Sequence, residues 1–246
     1  MPQNKIWSWI GQSFAIVASI LLAFAIQAWW EGIQEREYAE RMLASVLEEY
    51  RNNIGAVQRA SSHRYAVRDA INKLFEFSAT QETPEPEVVD DLLGALMWAH
   101  SPDANWSALD TMIGGGQLVL IENAELRNRL AAIHKSKGTF EVTRTIDFEH
   151  LIDVVFPYFR EHALLPQIAV SRSALYLPGG NGEPVYEHSF ELGLTRNHVE
   201  LLRDGVFLGI LMEKLWIQLD AINRNELFLA QTESTIDLLE AELGDS

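Results

Sequence analysis

A run of uncharged, mostly apolar residues over Ile6–Trp30 stands apart from the alternating apolar and charged pattern of the following chain. At 1.5 Å per residue, a helix from Trp7 to Trp30 is roughly 35 Å long, against a hydrocarbon core of about 30 Å. Tryptophans at both ends match the two aromatic belts of a membrane-spanning helix: Trp7, Trp9, Trp29 and Trp30. The run therefore predicts a transmembrane helix over 6–30, after a short tail over 1–5.

Two other interpretations of this run stay open. Ala23 and Ala25 form the A-x-A pattern of a signal-peptidase site, which would make the run a cleaved signal. An uncleaved anchor is favoured over it, because only Lys5 precedes the run and apolar residues continue past that site. A buried helix of a soluble protein is the other interpretation, and the length of the run disfavours it.

Small side chains recur at every fourth position of this run and form one stripe: Gly11, Ala15, Ser19 and Ala23. Lipid provides little hydrophobic drive between helices, so such a stripe allows two helix backbones to approach closely. It predicts self-association or pairing with other membrane subunits. The alternative is that alanine and glycine are simply common in membrane helices.

A three-and-four spacing of apolar residues predicts helices through most of the remaining chain. The spacing begins directly after the apolar run, passes through 31–80 without a proline, and stops at the two prolines of 79–87. Shorter helical patterns follow as far as Pro157. The first of these predicted helices is thus long, and we expect it to grow straight out of the membrane helix. Beyond that point it either carries on or breaks briefly over 61–63.

The helical pattern fades over 165–193, where glycine and proline are frequent. It returns from Asn197 to about Leu243, with Glu200 placed as in a capping box. Two long helices at opposite ends of the chain predict antiparallel pairing, with the middle helices packed on them. The predicted class is all-α, with a membrane helix continuing into an antiparallel helical bundle over 31–246.

Composition limits the partners of this bundle. The 246 residues contain 35 acidic and 19 basic side chains, and nearly all of the acidic excess follows the apolar run. An acidic domain is repelled by nucleic-acid phosphate and by anionic lipid, so we predict no nucleic-acid binding. The chain has no cysteine, which excludes disulfides, thiolate catalysis and cysteine-based metal sites.

Two segments, SILLAFAIQAWWEGIQEREYAERML and the later GGGQLVLIENAELRNRLA, resemble the DUF6090 family of bacterial membrane proteins. The matching residues are Trp29, Trp30, Glu31, Gly116, Leu118, Ile121, Leu126, Arg127 and Leu130. Gln27 departs from the acidic residue or asparagine that commonly precedes the tryptophans in that family. The family has no assigned activity, so the resemblance implies a single membrane helix and a helical domain, and no mechanism.

Candidate chemistry is sparse. Asp147, His150 and Asp153 are three residues apart, with Glu149 and His162 nearby, but without a metal-binding motif a solvated helix face is the favoured interpretation. The glycine-rich segments 114–116 and 179–182 match neither a P-loop nor a dinucleotide fingerprint. We therefore predict no catalytic residue, no metal site and no cofactor.

These observations predict a non-catalytic, single-pass protein of the bacterial inner membrane that acts as an accessory subunit or scaffold of a membrane complex. The bundle is expected on the extracytoplasmic side, because a large domain can be translocated although Arg36 and Arg41 follow the helix. The alternative is an extracytoplasmic bundle that senses a small ligand through a partner. Candidate residues for its ligand pocket lie in the irregular stretch: Tyr176, Tyr186, His188 and Phe190. A partner contact and a cover over the end of the bundle are the alternative roles for these side chains.

Overall fold

The computed structural model describes residues 3–80, 83–99, 101–172 and 195–244. Its side chains are described over 17–80, 83–99, 101–169 and 195–244. Within these ranges the chain forms helices and turns without a strand, which confirms the predicted all-helical class. The antiparallel arrangement of the bundle stays a prediction.

Seven α-helices are formed by the described residues: α1 Gln3–Ala79, α2 Pro86–Leu96, α3 Ser107–Gly114, α4 Ala124–His150, α5 Phe156–His162, α6 Leu165–Arg172 and α7 Gly205–Gly244. Three shorter turns connect them: a 3₁₀ turn over Gln117–Leu120, a π turn over Leu151–Val155 and a 3₁₀ turn over His198–Arg203.

Helix α1 is continuous from the apolar run into the charged part of the chain. This continuity follows from the sequence, because no proline interrupts the segment and the apolar positions keep their helical spacing. The chain leaves α1 before Pro84, and Pro86 then begins α2 at a position where its missing N–H costs no helical hydrogen bond.

The π turn lies where α4 meets Pro157. Proline has no N–H, and its ring clashes with the carbonyl four residues earlier, here that of Asp153. A wider turn over Leu151–Val155 accommodates this conflict, so the chain continues into α5 without a break.

Regular structure extends further into the predicted irregular stretch than its composition indicates. Helix α6 forms over Leu165–Arg172, and Pro166 lies in its first turn, where proline is tolerated. The rest of the stretch, including Tyr176, Tyr186, His188 and Phe190, lies outside the described residues.

The last helix begins later than predicted. Asn197 does act as a cap, but its side chain accepts the N–H of Val199 at the start of a 3₁₀ turn. Asp204 then adopts an extended backbone, and its carboxylate accepts the N–H of Val206 at 2.8 Å. This second cap ends the 3₁₀ turn and starts α7, because its oxygen satisfies an amide that has no partner within the helix.

Contacts divide the described chain into two compact units. Unit 1 contains the residues up to 49, 106–131 and those from 235 on, and unit 2 contains 50–105 and 132–234. The predicted boundaries of a tail, a membrane helix and one extramembrane domain stay predictions.

In unit 1, the carboxylate of Glu49 caps helix α3. It accepts the N–H groups of Ala108 at 2.8 Å and Leu109 at 3.3 Å, although it comes from α1. The local cap residue, Trp106, has no side-chain oxygen for this role. A buried carboxylate at a helix N-terminus also gains from the helix dipole, so Glu49 fixes α3 against α1.

Unit 2 has a core formed by side chains from α1, α2, α5, α6, α7 and the turns between them. Its members include Ile71, Leu74, Leu93, Phe159, Ile168, Phe207 and Leu211. Burial of such side chains contributes about 1.5–3 kcal/mol each, so this cluster is the main stabilising element of the unit.

Candidate functional site

The N-terminal part of α1 is one of three features that bear on function. Among the helices of the described ranges, α1 is the one with a stretch long and apolar enough to cross a membrane. No residue of that apolar stretch is buried. Trp29 and Trp30 are 65% and 55% exposed, and Ser19 and Ala23 are also exposed. The side chains of Trp7, Trp9, Gly11 and Ala15 lie outside the described residues.

The second feature is a buried ion cluster in unit 2, formed by Arg64 of α1, Asp147 of α4, and Lys214 and Gln218 of α7. The ammonium of Lys214 lies 2.7 Å from Oδ1 of Asp147, and a guanidinium nitrogen of Arg64 lies 3.4 Å from Oδ2. Gln218 donates to Oδ1 at 3.0 Å and accepts from Arg64 at 3.1 Å. The three charged side chains are at most 2% exposed.

Two cations share one carboxylate in this cluster. Burial lowers the pKa of Lys214 and of Arg64 from their usual values, while the charge of Asp147 opposes that change in both. Charges buried in this way need their partners, because an unpaired ion in the interior is strongly destabilising. The cluster thus joins three helices in one register.

A lysine with a lowered pKa can act as an amine nucleophile if a substrate can reach its nitrogen. The Lys214 ammonium is directed to Asp147 and to the carbonyl oxygen of Trp98 at 3.3 Å. At 1% exposure the side chain has no open path to a substrate. Its role in the described structure is structural.

The burial of Asp147 also bears on the segment DFEHLID, residues 147–153, whose carboxylates and histidine were considered as metal ligands. The prediction of a solvated face is wrong for Asp147 and His150, which are buried, while Glu149 and Asp153 are exposed. Arg64, Lys214 and Gln218 donate hydrogen bonds to the carboxylate oxygens of Asp147, so in this structure the carboxylate binds two side-chain cations. No group of three potential metal ligands occurs within the described ranges.

The third feature is an open groove of about 460 Å³ between α4 and α7 in unit 2. Its lining consists of Ile146, Glu149, His150, Asp153, Val154, Glu213, Trp216 and Ile217. Trp216 is 64% exposed, and three carboxylate side chains line the same groove. An exposed indole face among carboxylates is a chemistry that suits an organic cation.

His150 is the buried polar residue of this groove. Its Nε2 lies 3.3 Å from a carboxylate oxygen of Glu213, while its buried Nδ1 has no hydrogen-bond partner in the described structure. Burial lowers the pKa of His150, the positive charge of Lys214 lowers it further, and Glu213 opposes both. The imidazole is therefore neutral at pH 7, next to a π turn of the kind often found at functional sites.

An aspartate–histidine pair elsewhere in unit 2 resembles a catalytic arrangement but is already saturated. His198 Nδ1 lies 2.5 Å from Asp90, while its Nε2 accepts the N–H of Leu164 at 2.9 Å. Gln167 donates to the other oxygen of Asp90 at 2.6 Å. Since both ring nitrogens are engaged, His198 has no free position for general base catalysis, and the pair ties α2 to the segments around it.

Most of these polar residues were not predicted from the sequence, although it contains a signal for them. Arg64 lies in the apolar stripe of α1 between Ala60 and Val67, and Lys214 lies between Leu211 and Leu215 on α7. A charge inside an apolar stripe indicates a buried ion that needs a partner. The identity of that partner required the structure.

Comparison with other proteins adds no relative: no family model, curated protein or solved structure matches this chain. The resemblance to the DUF6090 family rests on the residues quoted above and stays a prediction.

Proposed function

We propose that this protein is a single-pass, membrane-anchored accessory subunit or scaffold without catalytic activity. It works in the inner membrane of a bacterium, with its helical bundle outside the cytoplasm. Its partners are the lipid bilayer and other membrane protein subunits, or a second copy of the chain through the membrane helix.

The observation that carries this proposal is the contrast within α1. Its apolar window is unburied, whereas the later part of the same helix buries Leu43, Val46 and Ile71 in protein cores. An uncovered apolar helix is costly in water and stable in lipid. Exposed Trp29 and Trp30 at the end of this segment supply the side chains that favour a membrane interface.

The absence of catalytic activity is supported by what the buried polar residues do. Arg64 and Lys214 are both paired with Asp147, and His198 has both ring nitrogens engaged. Groups committed to internal hydrogen bonds in this way stabilise a fold and have no free position for a reacting atom.

Copurification tests the accessory role. The full chain, tagged at its C-terminus, is extracted from native membranes in mild detergent, and the mass and composition of the isolated particle are measured. We expect other membrane subunits in stoichiometric amount. Recovery of the chain alone, as a monomer or homo-oligomer, would contradict an accessory role.

A second candidate function, ligand sensing, is favoured by the groove around His150. The carboxylates of Glu149, Asp153 and Glu213 and the indole of Trp216 match a small organic cation. Melting temperatures of the full chain in detergent, measured with a panel of organic amines and ammonium ions, test this function. A selective ligand raises the melting temperature by mass action, and E213Q and W216A should remove that rise. A panel without any effect would contradict the sensing function.

A further inference from the structure

The 3₁₀ turn over Gln117–Leu120 is an exposed apolar loop of unit 1. The segment from Ile113 to Ile121 contains no charged residue. Val119 is 79% exposed, the highest value of any large apolar side chain in the described ranges. Leu118 and Leu120, on either side of it, are only partly buried. An apolar loop of this kind marks a surface that contacts something less polar than water.

This turn lies beside the first part of α1 after the apolar segment. Gln117 donates a hydrogen bond to the hydroxyl of Tyr38 at 3.0 Å, and helical side chains lean towards the N-terminal end of their helix. Gln117 and Leu120 also line one open groove with residues of α1 that begin at Glu31 and end at Arg41. The turn is therefore held beside the part of α1 that directly follows Trp30.

The distance from the hydrocarbon edge is short. From Trp30 to Gln34 the helix rises about 6 Å, and the polar interface on each side of a bilayer is about 5–8 Å thick. If Trp30 marks the hydrocarbon boundary, the groove that holds Leu120 begins within the headgroup layer.

We propose that the turn over Gln117–Leu120 is a second membrane contact, in which Val119 and Leu120 enter the lipid interface beside Trp30. This inference rests on the proposed membrane anchor. Entry removes their apolar surface from water. The lipid is zwitterionic, because the neighbouring Glu31, Glu35 and Glu122 would repel an anionic surface. Two contact points would also fix the rotation of α1 about its own axis.

Single-cysteine variants test this contact, since the natural chain has no cysteine. V119C is compared with L21C in the apolar segment and with V206C, an apolar position of unit 2 that is 65% exposed. Each full-length variant is labelled with an environment-sensitive fluorophore and reconstituted into phosphatidylcholine vesicles, with or without lipid brominated at shallow or at deep acyl positions. We expect V119C and L21C to lose emission to the brominated lipid, and V206C to retain it.

Comparison of the three positions distinguishes failure of the membrane anchor from failure of the second membrane contact. If L21C retains its emission, the membrane anchor itself is contradicted. If L21C is quenched while V119C behaves like V206C, the anchor stands and the second contact is overturned. If V119C is shielded from aqueous iodide but is insensitive to brominated lipid, protein covers the turn and the lipid contact is likewise overturned.

Discussion

Asp147 is the one carboxylate that pairs with both buried cations of this cluster in unit 2, so the three side chains together carry one net positive charge. Arg64 and Lys214 approach its two oxygens from different helices, and all three side chains are nearly inaccessible to water. Because the cluster has two cations and one anion, removal of the anion should destabilise the protein more than removal of one cation. Loss of the anion leaves two buried positive charges, whereas loss of one cation leaves a neutral ion pair.

Substitution of Asp147 therefore tests the cluster. We expect D147N to lower the free energy of unfolding by about 3–5 kcal/mol, the usual cost of leaving a buried ion without its partner. The matched variant K214M retains the Arg64–Asp147 pair and a similar side-chain volume, so its cost should be clearly smaller. Urea unfolding of the full chain in mild detergent, followed by tryptophan fluorescence, measures both. Equal costs would contradict the unequal roles.

His150 makes the stability of the protein depend on pH. Its pKa is lowered in the folded state, chiefly by burial, so the unfolded chain binds the proton more readily. The free energy of unfolding should consequently fall as pH drops below the ordinary histidine pKa near 6.5. It should become constant again below the pKa that His150 has in the folded state. This direction is opposite to that of a histidine stabilised by a carboxylate.

The variant H150Q isolates this effect. We expect the wild type to lose more melting temperature between pH 7.5 and pH 5.5 than H150Q, because glutamine does not titrate. The other histidines are present in both proteins, so the difference reports His150 alone. A larger loss in H150Q would mean that Glu213, and not burial, controls the pKa of the imidazole.

At the scale of elements, α3 depends on a cap from another helix. Glu49 of α1 accepts the first free amides of α3, those of Ala108 and Leu109. Sequence rules place a cap next to the helix it serves, and Trp106 gave no such signal. Caps supplied by a distant residue are thus invisible in local sequence.

We expect E49A to weaken this end of α3 by about 1–2 kcal/mol, the usual effect of losing an N-cap. Glu48 is an exposed neighbour, and E48A should have an effect within about 0.5 kcal/mol. Hydrogen exchange of the amides of Ala108 and Leu109 measures the change directly. Unchanged exchange in E49A would show that the cap is not what protects them.

Prediction from sequence worked where periodicity and proline control local structure. The growth of α1 past Trp30, its end before Pro84 and the helical class follow from apolar spacing and from the positions of proline. A brief break over 61–63 was the open alternative, and α1 passes through these residues without one. The start of α7 was predicted eight residues too early, because Asn197 and Asp204 both provide caps and only the structure distinguishes a 3₁₀ turn from an α-helix.

The candidate sites were less predictable for a physical reason. Asp147 and His150 were noticed through their spacing, but a metal site and a buried ion pair use the same residue types. Arg64 and Lys214 lie 83 and 67 residues from Asp147, so their meeting depends on tertiary packing. Local pattern predicts which charge needs a partner and cannot predict the partner.

For the whole molecule, the central claim is that the apolar segment of α1 anchors the protein in a membrane. The most direct measurement is flotation of native membranes after alkaline carbonate extraction, which separates integral from peripheral proteins. L21R places a charge in the apolar segment, at a cost of about 3–4 kcal/mol for insertion. L227R places the same charge at an exposed leucine of unit 2 and serves as control.

We predict that the wild type and L227R float with the lipid after extraction, and that a large part of L21R is lost from this fraction. Release of the wild-type chain by carbonate would contradict the membrane anchor. Equal retention of L21R and the wild type would assign the attachment to another part of the chain.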